Sequence, residues 1–147
     1  MWSEQESSEI LAGKRVVICE DEGVTQMQIA RLLRRAGLLV VGAVNNGQSA
    51  VEIVLREKPD LVLMDIRMPK MDGLEAMRLI LSEYPVCIVM VTAFSDDAVR
   101  EQADRLGSHG YLVKPIIGSL LITALEKSYL TFQQTSGNAQ NTDGIMK

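Results

Sequence analysis

Five short runs, "RVVICE", "LLVVGAV", "LVLMD", "VCIVMVT" and "YLVK", constrain this chain more than any other feature. They are too continuously apolar for half-exposed antiparallel strands and read as strands buried on both faces. Between them lie segments with one apolar stripe at helical spacing: Ile29, Leu32, Leu33 and Ala36; Val51, Val54 and Leu55; Met77, Ile80 and Leu81; Val99, Ala103 and Leu106. A fifth such segment, from Ser119 to about Tyr129, carries Leu121, Ala124 and Leu125. Strict alternation of this kind predicts an α/β protein of (βα)5 type, a parallel sheet with right-handed crossovers and helices on both faces. Gly37, Pro59, Pro85 and Gly107 fall near helix ends, and Asp72 is placed to cap the helix entered through Gly73.

A chain of 147 residues with 47% hydrophobic content can bury one core. The expected boundaries are a tail over 1–13, one domain over 14–130, and a polar tail over 131–147. The first dozen residues and "TFQQTSGNAQNTDGIMK" show no periodicity, so they are expected to fray, with the fifth helix entering the tail by a turn at most. A net charge of −4 argues against holding nucleic acid by phosphate neutralisation. No apolar run approaches the roughly 18 residues of a membrane-spanning helix. The acidic start "MWSEQESSE" lacks the order of a secretory signal, so the expected compartment is the cytoplasm. Cys19 and Cys87 sit inside apolar runs, as buried free thiols do.

Polar residues then fall in one place: Glu20 and Asp21 close the first strand, Asp65 the third, Thr92 the fourth and Lys114 the fifth. Each alone has an ordinary reading, as a turn residue, a helix-start acid, a cap residue or a solvated lysine. Together they lie at strand carboxyl ends, the edge where open parallel sheets bind ligands. If strands one and three are neighbours, carboxylates about 5 Å apart repel by about 3 kcal/mol at an effective dielectric near 20. Such a cluster must protonate or recruit a cation, and a hard divalent ion, magnesium before calcium, suits an all-oxygen set. With a metal held by Glu20 and Asp21, Asp65 reads as a nucleophile that forms an acyl phosphate. Lys114 would then offset phosphoryl charge and Thr92 donate to a phosphoryl oxygen. His109, in a "GSHG" turn, reads as a loop residue rather than a ligand.

In order and spacing, "VVICEDE", "DLVLMDIRMPKMDG", "VMVTAF" and "GYLVKP" resemble the receiver domain of two-component response regulators, from about Lys14 to Tyr129. The resemblance implies a flavodoxin-like doubly wound sheet of strand order 2-1-3-4-5. It also implies that Asp65 is phosphorylated by a sensor histidine kinase or a phosphotransfer protein. It assigns Mg2+ to Asp21, Asp65 and the backbone carbonyl of Arg67, with Glu20 acting through water, and makes the Lys114–Pro115 bond cis. It implies a switch in which the Thr92 hydroxyl moves toward the phosphoryl group and Tyr111 turns inward. The surface of helix four, strand five and helix five would report the state to a partner, with room for a homodimer through that face. Such a protein is a phosphoacceptor that gains and sheds its own phosphoryl group, not an enzyme acting on a separate substrate. Arg67 and Phe94, each two residues beyond a site residue, could crowd a hydrolytic water, which predicts a long-lived acyl phosphate.

Two rival functions fit these residues less well. A phosphatase of the haloacid-dehalogenase class needs a second acid two residues after its nucleophile on the first core strand. Here Arg67 holds that place and Asp65 lies on strand three. A pure interaction scaffold would have no use for the intact set of five. For output, the expectation is a single-domain regulator signalling by contact. The alternative is a receiver fragment of a larger transcription or antitermination regulator, disfavoured on the ground that the tail lacks a further helical segment.

Overall fold

The structure, a computed structural model, describes residues 7–93 and 97–146, with side chains as far as Thr135. Five strands, β1 (Arg15–Cys19), β2 (Leu39–Val44), β3 (Leu61–Met64), β4 (Cys87–Thr92) and β5 (Gly110–Val113), alternate with five helices. The helices are α1 (Gly23–Arg35), α2 (Gly47–Glu57), α3 (Gly73–Leu81), α4 (Asp97–Leu106) and α5 (Gly118–Met146). All strand pairs are parallel and the order is β2-β1-β3-β4-β5, the doubly wound flavodoxin-like arrangement.

Alternation along each strand feeds two cores. Val16, Ile18, Leu61, Leu63, Val89 and Val91 face α1 and α5, where Ile29, Leu33, Leu121 and Leu125 meet them. Val17, Val62, Met64, Ile88 and Met90 face α2, α3 and α4 through Val54, Met77, Ile80 and Ala103. The central strands β3 and β4 are buried at every residue, which is why their sequences read as unbroken apolar runs. Asp72 caps α3, its side chain accepting from the Glu75 N–H at 2.9 Å. Gly37 and Gly107 adopt φ of 99° and 111° just past α1 and α4, a region that favours glycine. Both cysteines are free and buried. Burial pushes the Cys87 thiol up to about 12, so neither geometry nor acidity suits it to a reactive role.

Within the described residues, the stretch around Ser8–Leu11 and the stretch after Tyr129 depart from the expectation of fraying. Near the start, Leu11 is fully buried between α1 and α5, and the Ser8 N–H donates to the Ala36 carbonyl at 2.9 Å. The Ser8 hydroxyl also donates to Glu126 of α5 at 2.6 Å. A single apolar anchor carries no periodicity, so pattern reading passes over it. At the other end, α5 runs to Met146 rather than stopping a turn past Tyr129. Phe132 prolongs the stripe of Leu121, Leu125 and Tyr129. Beyond it no proline interrupts a helix already nucleated, and elongation then costs little.

Candidate functional site: an acidic cluster with one lysine at the carboxyl edge

Three of the expected residues meet because of strand parity. Glu20 follows Val16 and Ile18 at the next same-side position, Asp65 follows Leu61 and Leu63, and Lys114 follows Leu112, all in rows facing α1 and α5. Parallel register puts Cys19 beside Met64, and the Asp65 N–H continues the ladder to the Cys19 carbonyl at 2.9 Å. Glu20 and Asp65 therefore stand side by side at the ends of adjacent strands. Asp21, in the turn after β1, completes a trio whose ligand atoms all lie within 4.8 Å of one another.

Lys114 is the cation of this group. Its Nζ lies 2.9 Å from Asp65 Oδ2 and 2.8 Å from Glu20 Oε1. Burial draws the lysine pKa down, but contact with Glu20 and Asp65 outweighs it, and the ammonium is held above its ordinary range. Glu20 is 1% exposed. Its carboxyl is pushed above the usual range by burial, with the charge of Asp65 adding to the shift against the pull of Lys114. The second Asp65 oxygen accepts the backbone N–H of Arg67 at 3.1 Å. The Lys114–Pro115 peptide is cis, as the resemblance implied.

Whether this set fits a metal is answered by Glu20. Its Oε1 is buried and has the Lys114 ammonium, 2.8 Å away, as its one neighbour of opposite charge, an ammonium it shares with Asp65. Three carboxylates share one lysine, so an acceptor and excess negative charge remain at one point, the donor chemistry a hard divalent cation requires.

Thr92 and Tyr111 occupy the opposite parity. Thr92 follows Ile88 and Met90 toward the α4 side and is fully buried, while its carbonyl accepts the Lys114 N–H at 2.8 Å. Tyr111 pairs in register with Met90, is half-buried, and lies beneath the Arg100 guanidinium of α4 at 5.5 Å from the ring centroid. Phe94 lies outside the described residues. His109 is no ligand: its ring packs edge-on against Phe132 at 5.0 Å, and Nδ1 accepts the Ile88 N–H at 3.3 Å.

Two polar partners escaped the sequence reading. Glu22 is the N-cap of α1 yet caps nothing, and its carboxylate reaches 3.4 Å from Lys114 Nζ. The acidic run "EDE" held that signal. Gln26 donates to the carbonyls of Glu20 and Val44 at 3.1 and 3.0 Å, a contact without a pattern in the sequence.

Fold and site together define the class: a five-stranded doubly wound sheet with clustered acids and one lysine at its carboxyl edge. The family model described as the response regulator receiver domain matches residues 16–126, and the chain belongs to that family. It is 43% identical over 121 residues to the transcriptional regulatory protein PdtaR of Mycobacterium tuberculosis, covering 82% of this chain and 59% of PdtaR. The chain thus spans less than two thirds of that relative's length. It is 36% identical to the chemotaxis protein CheY of Thermotoga maritima over 78% of this chain and 97% of CheY. Among solved structures, the BeF3-activated receiver domain of Klebsiella pneumoniae RstA superposes with a TM-score of 0.73 at 30% identity, covering 78% and 97% of the two chains. Receiver domains are signalling switches that bind Mg2+ at an acidic pocket, and this chain has at the corresponding edge a Glu20, Asp21, Asp65 cluster that could hold a metal. No helix among the described residues is long and apolar enough to cross a membrane.

Proposed function

We propose that this chain is a cytoplasmic switch that takes a phosphoryl group onto Asp65 from a sensor histidine kinase or phosphotransfer protein. The observation that carries the reading is the placement of Lys114 Nζ 2.9 Å from Asp65 Oδ2 beside two further acids. Asp21, Asp65 and the Arg67 carbonyl would hold Mg2+, with Glu20 acting through water. The ion supplies charge neutralisation for phosphoryl oxygens and carboxylates alike.

In the transfer, one Asp65 oxygen bonds to phosphorus while the phosphorus–nitrogen bond of the donor phosphohistidine breaks, and the imidazole leaves with the electron pair. The Arg67 N–H holds one Asp65 oxygen and so leaves the other, beside Lys114, to attack. Lys114 then exchanges its carboxylate contact for a phosphoryl oxygen. A cleft of about 350 Å³ lined by Glu22, Thr25, Gln28, Lys114, Pro115 and Ile116 gives the donor imidazole an approach.

Phosphoryl oxygens at Asp65 would draw the Thr92 hydroxyl toward them, and the space vacated on the α4 side would admit the Tyr111 ring. That is a two-state equilibrium biased by one local charge event. The α4, β5 and α5 surface would report it to a partner or to a second copy of the chain.

A second reading of the output rests on two observations: the chain spans 59% of PdtaR, and α5 continues to Met146. The tail expected to lack a further helical segment carries the continuation of α5 as far as Met146, which supports this reading. Under this reading the chain is the receiver of a longer transcription or antitermination regulator.

Acetyl phosphate and Mg2+ added to the pure protein test the chemistry. A stable, hydroxylamine-labile acyl phosphate on Asp65 supports the switch. Continuous turnover of varied phosphoesters would make it a phosphatase, and inertness would leave a scaffold.

A further inference from the structure

We propose that Gln26 is a positioning residue for the metal-binding turn: its side-chain amide fixes the Glu20–Asp21 peptide and thereby sets the affinity of the acidic trio for a divalent cation. The inference rests on the metal site proposed above and adds a residue to it.

Asp21 is exposed and stands in a turn between the end of β1 and the start of α1. Its aim depends on what holds that turn. One tie is local, the Glu22 N–H to Glu20 Oε2 at 3.1 Å, and it occupies a carboxylate oxygen that faces the site. A second joins the strands, the Glu20 N–H to the Val44 carbonyl at 3.0 Å. Neither fixes the peptide between Glu20 and Asp21. The Gln26 side chain does: it returns from α1, half-buried, and donates to the Glu20 carbonyl at 3.1 Å and the Val44 carbonyl at 3.0 Å.

Both neighbours are carbonyl oxygens, so the amide nitrogen is the end that faces them. The Glu20 carbonyl and the Asp21 N–H share one rigid plane that also holds the Asp21 Cα, so pinning the oxygen restrains where that Cα stands and leaves fewer torsions free to move the Asp21 carboxylate. Val44 ends β2, which lies at the sheet's outer edge with β1 as its sole strand neighbour. Gln26 therefore straps the last residue of an edge strand to the turn that bears two of the three acids. Removing the strap leaves Val44 its bond from the Glu20 N–H, so the fold keeps its ladder while the turn gains freedom.

Titration calorimetry with MgCl2 on the metal-free full chain tests this, using wild type, Gln26→Leu and Tyr84→Phe at a temperature where all three are folded. Tyr84→Phe removes a hydrogen bond to the Pro59 carbonyl at the far edge of the sheet and controls for lost stability. Groups that orient a metal ligand from behind typically change metal affinity 10–100-fold when removed. The expected result is Mg2+ binding about tenfold weaker in Gln26→Leu and unchanged in Tyr84→Phe. Equal affinity in wild type and Gln26→Leu overturns the role of Gln26 and leaves the metal site standing. Equal weakening in both variants assigns the effect to general stability and also overturns it. Absence of Mg2+ binding in wild type overturns the metal reading and this inference together. Should Gln26→Leu fail to fold, the side-chain amide resonances of Gln26 in the wild type must shift along the same Mg2+ binding curve as the Asp21 backbone amide, and their indifference overturns the proposal.

Discussion

The two edges of the sheet treat charge in opposite ways. At the amino edge Arg15, Tyr84 and His109 are each matched by a partner. Arg15 donates to the Glu57 carbonyl at 2.6 Å and pairs with the Glu57 carboxylate at 3.0 Å, while its backbone N–H reaches Asp60 at 2.8 Å. Tyr84 donates to the Pro59 carbonyl at 2.7 Å, and His109 accepts the Ile88 N–H. At the carboxyl edge Glu20, Asp21, Glu22 and Asp65 gather around a single ammonium, and the buried Glu20 Oε1 shares that ammonium with Asp65. One sheet, one set of strands and one packing logic produce both ends. The difference is that the amino edge is closed by its own side chains, whereas the carboxyl edge gathers more negative charge than its one lysine offsets.

The largest effect expected from breaking this contrast is Asp65→Asn, which leaves no carboxylate to attack. Intact-mass measurement after acetyl phosphate and Mg2+ should show no phosphoryl gain, while far-ultraviolet circular dichroism stays that of wild type. Next comes Lys114→Met. Losing a charged group aimed at the phosphoryl oxygens should slow acyl phosphate formation by about 100-fold. It also leaves Glu20 and Asp65 without their cation, which should lower metal-free stability by about 2 kcal/mol in urea unfolding. The matching change at the amino edge, Arg15→Met, removes a partly exposed pair and should cost about 1 kcal/mol or less, with no effect on phosphorylation.

The smallest effect is in pH. Burial holds the His109 pKa below its ordinary 6.5, so the folded state binds fewer protons than the unfolded state just below that value. Stability from the neutral ring is complete above pH 6.5 and is lost as pH falls through the lowered folded value. His109→Asn should flatten this acid limb of the stability–pH curve and leave phosphorylation unaltered.

Much of the carboxyl edge was legible beforehand because chemistry and burial collide there. A strand that reads "LVLM" and ends in Asp65 violates the pattern of its own core, and Glu20 after "VVIC" repeats the violation one strand away. Parity along the strands would even have separated Glu20, Asp65 and Lys114 from Thr92 and Tyr111, which face the other helical layer. Gln26 was invisible for the opposite reason: a glutamine on a helix looks solvated until the ends of β1 and β2 are seen to lie beneath it. The order near the start escaped because it depends on contacts made across the chain, Ser8 with Glu126 and Ala36 and Leu11 within the core, rather than on spacing within a segment, and the length of α5 escaped because the polar tail carries no apolar stripe to mark it.

The claim that most needs testing is that the excess negative charge at the carboxyl edge is there to be neutralised by a bound cation. Urea unfolding of wild type and Asp21→Asn, each with EDTA and with saturating Mg2+, tests it directly, because Asp21 is exposed and its loss should spare the fold. At Mg2+ one hundred times its dissociation constant, wild type should gain about 2.7 kcal/mol. Asp21→Asn should gain little and, relieved of one like charge, be at least as stable as wild type in EDTA. No gain in wild type, or an equal gain in Asp21→Asn, would contradict the account.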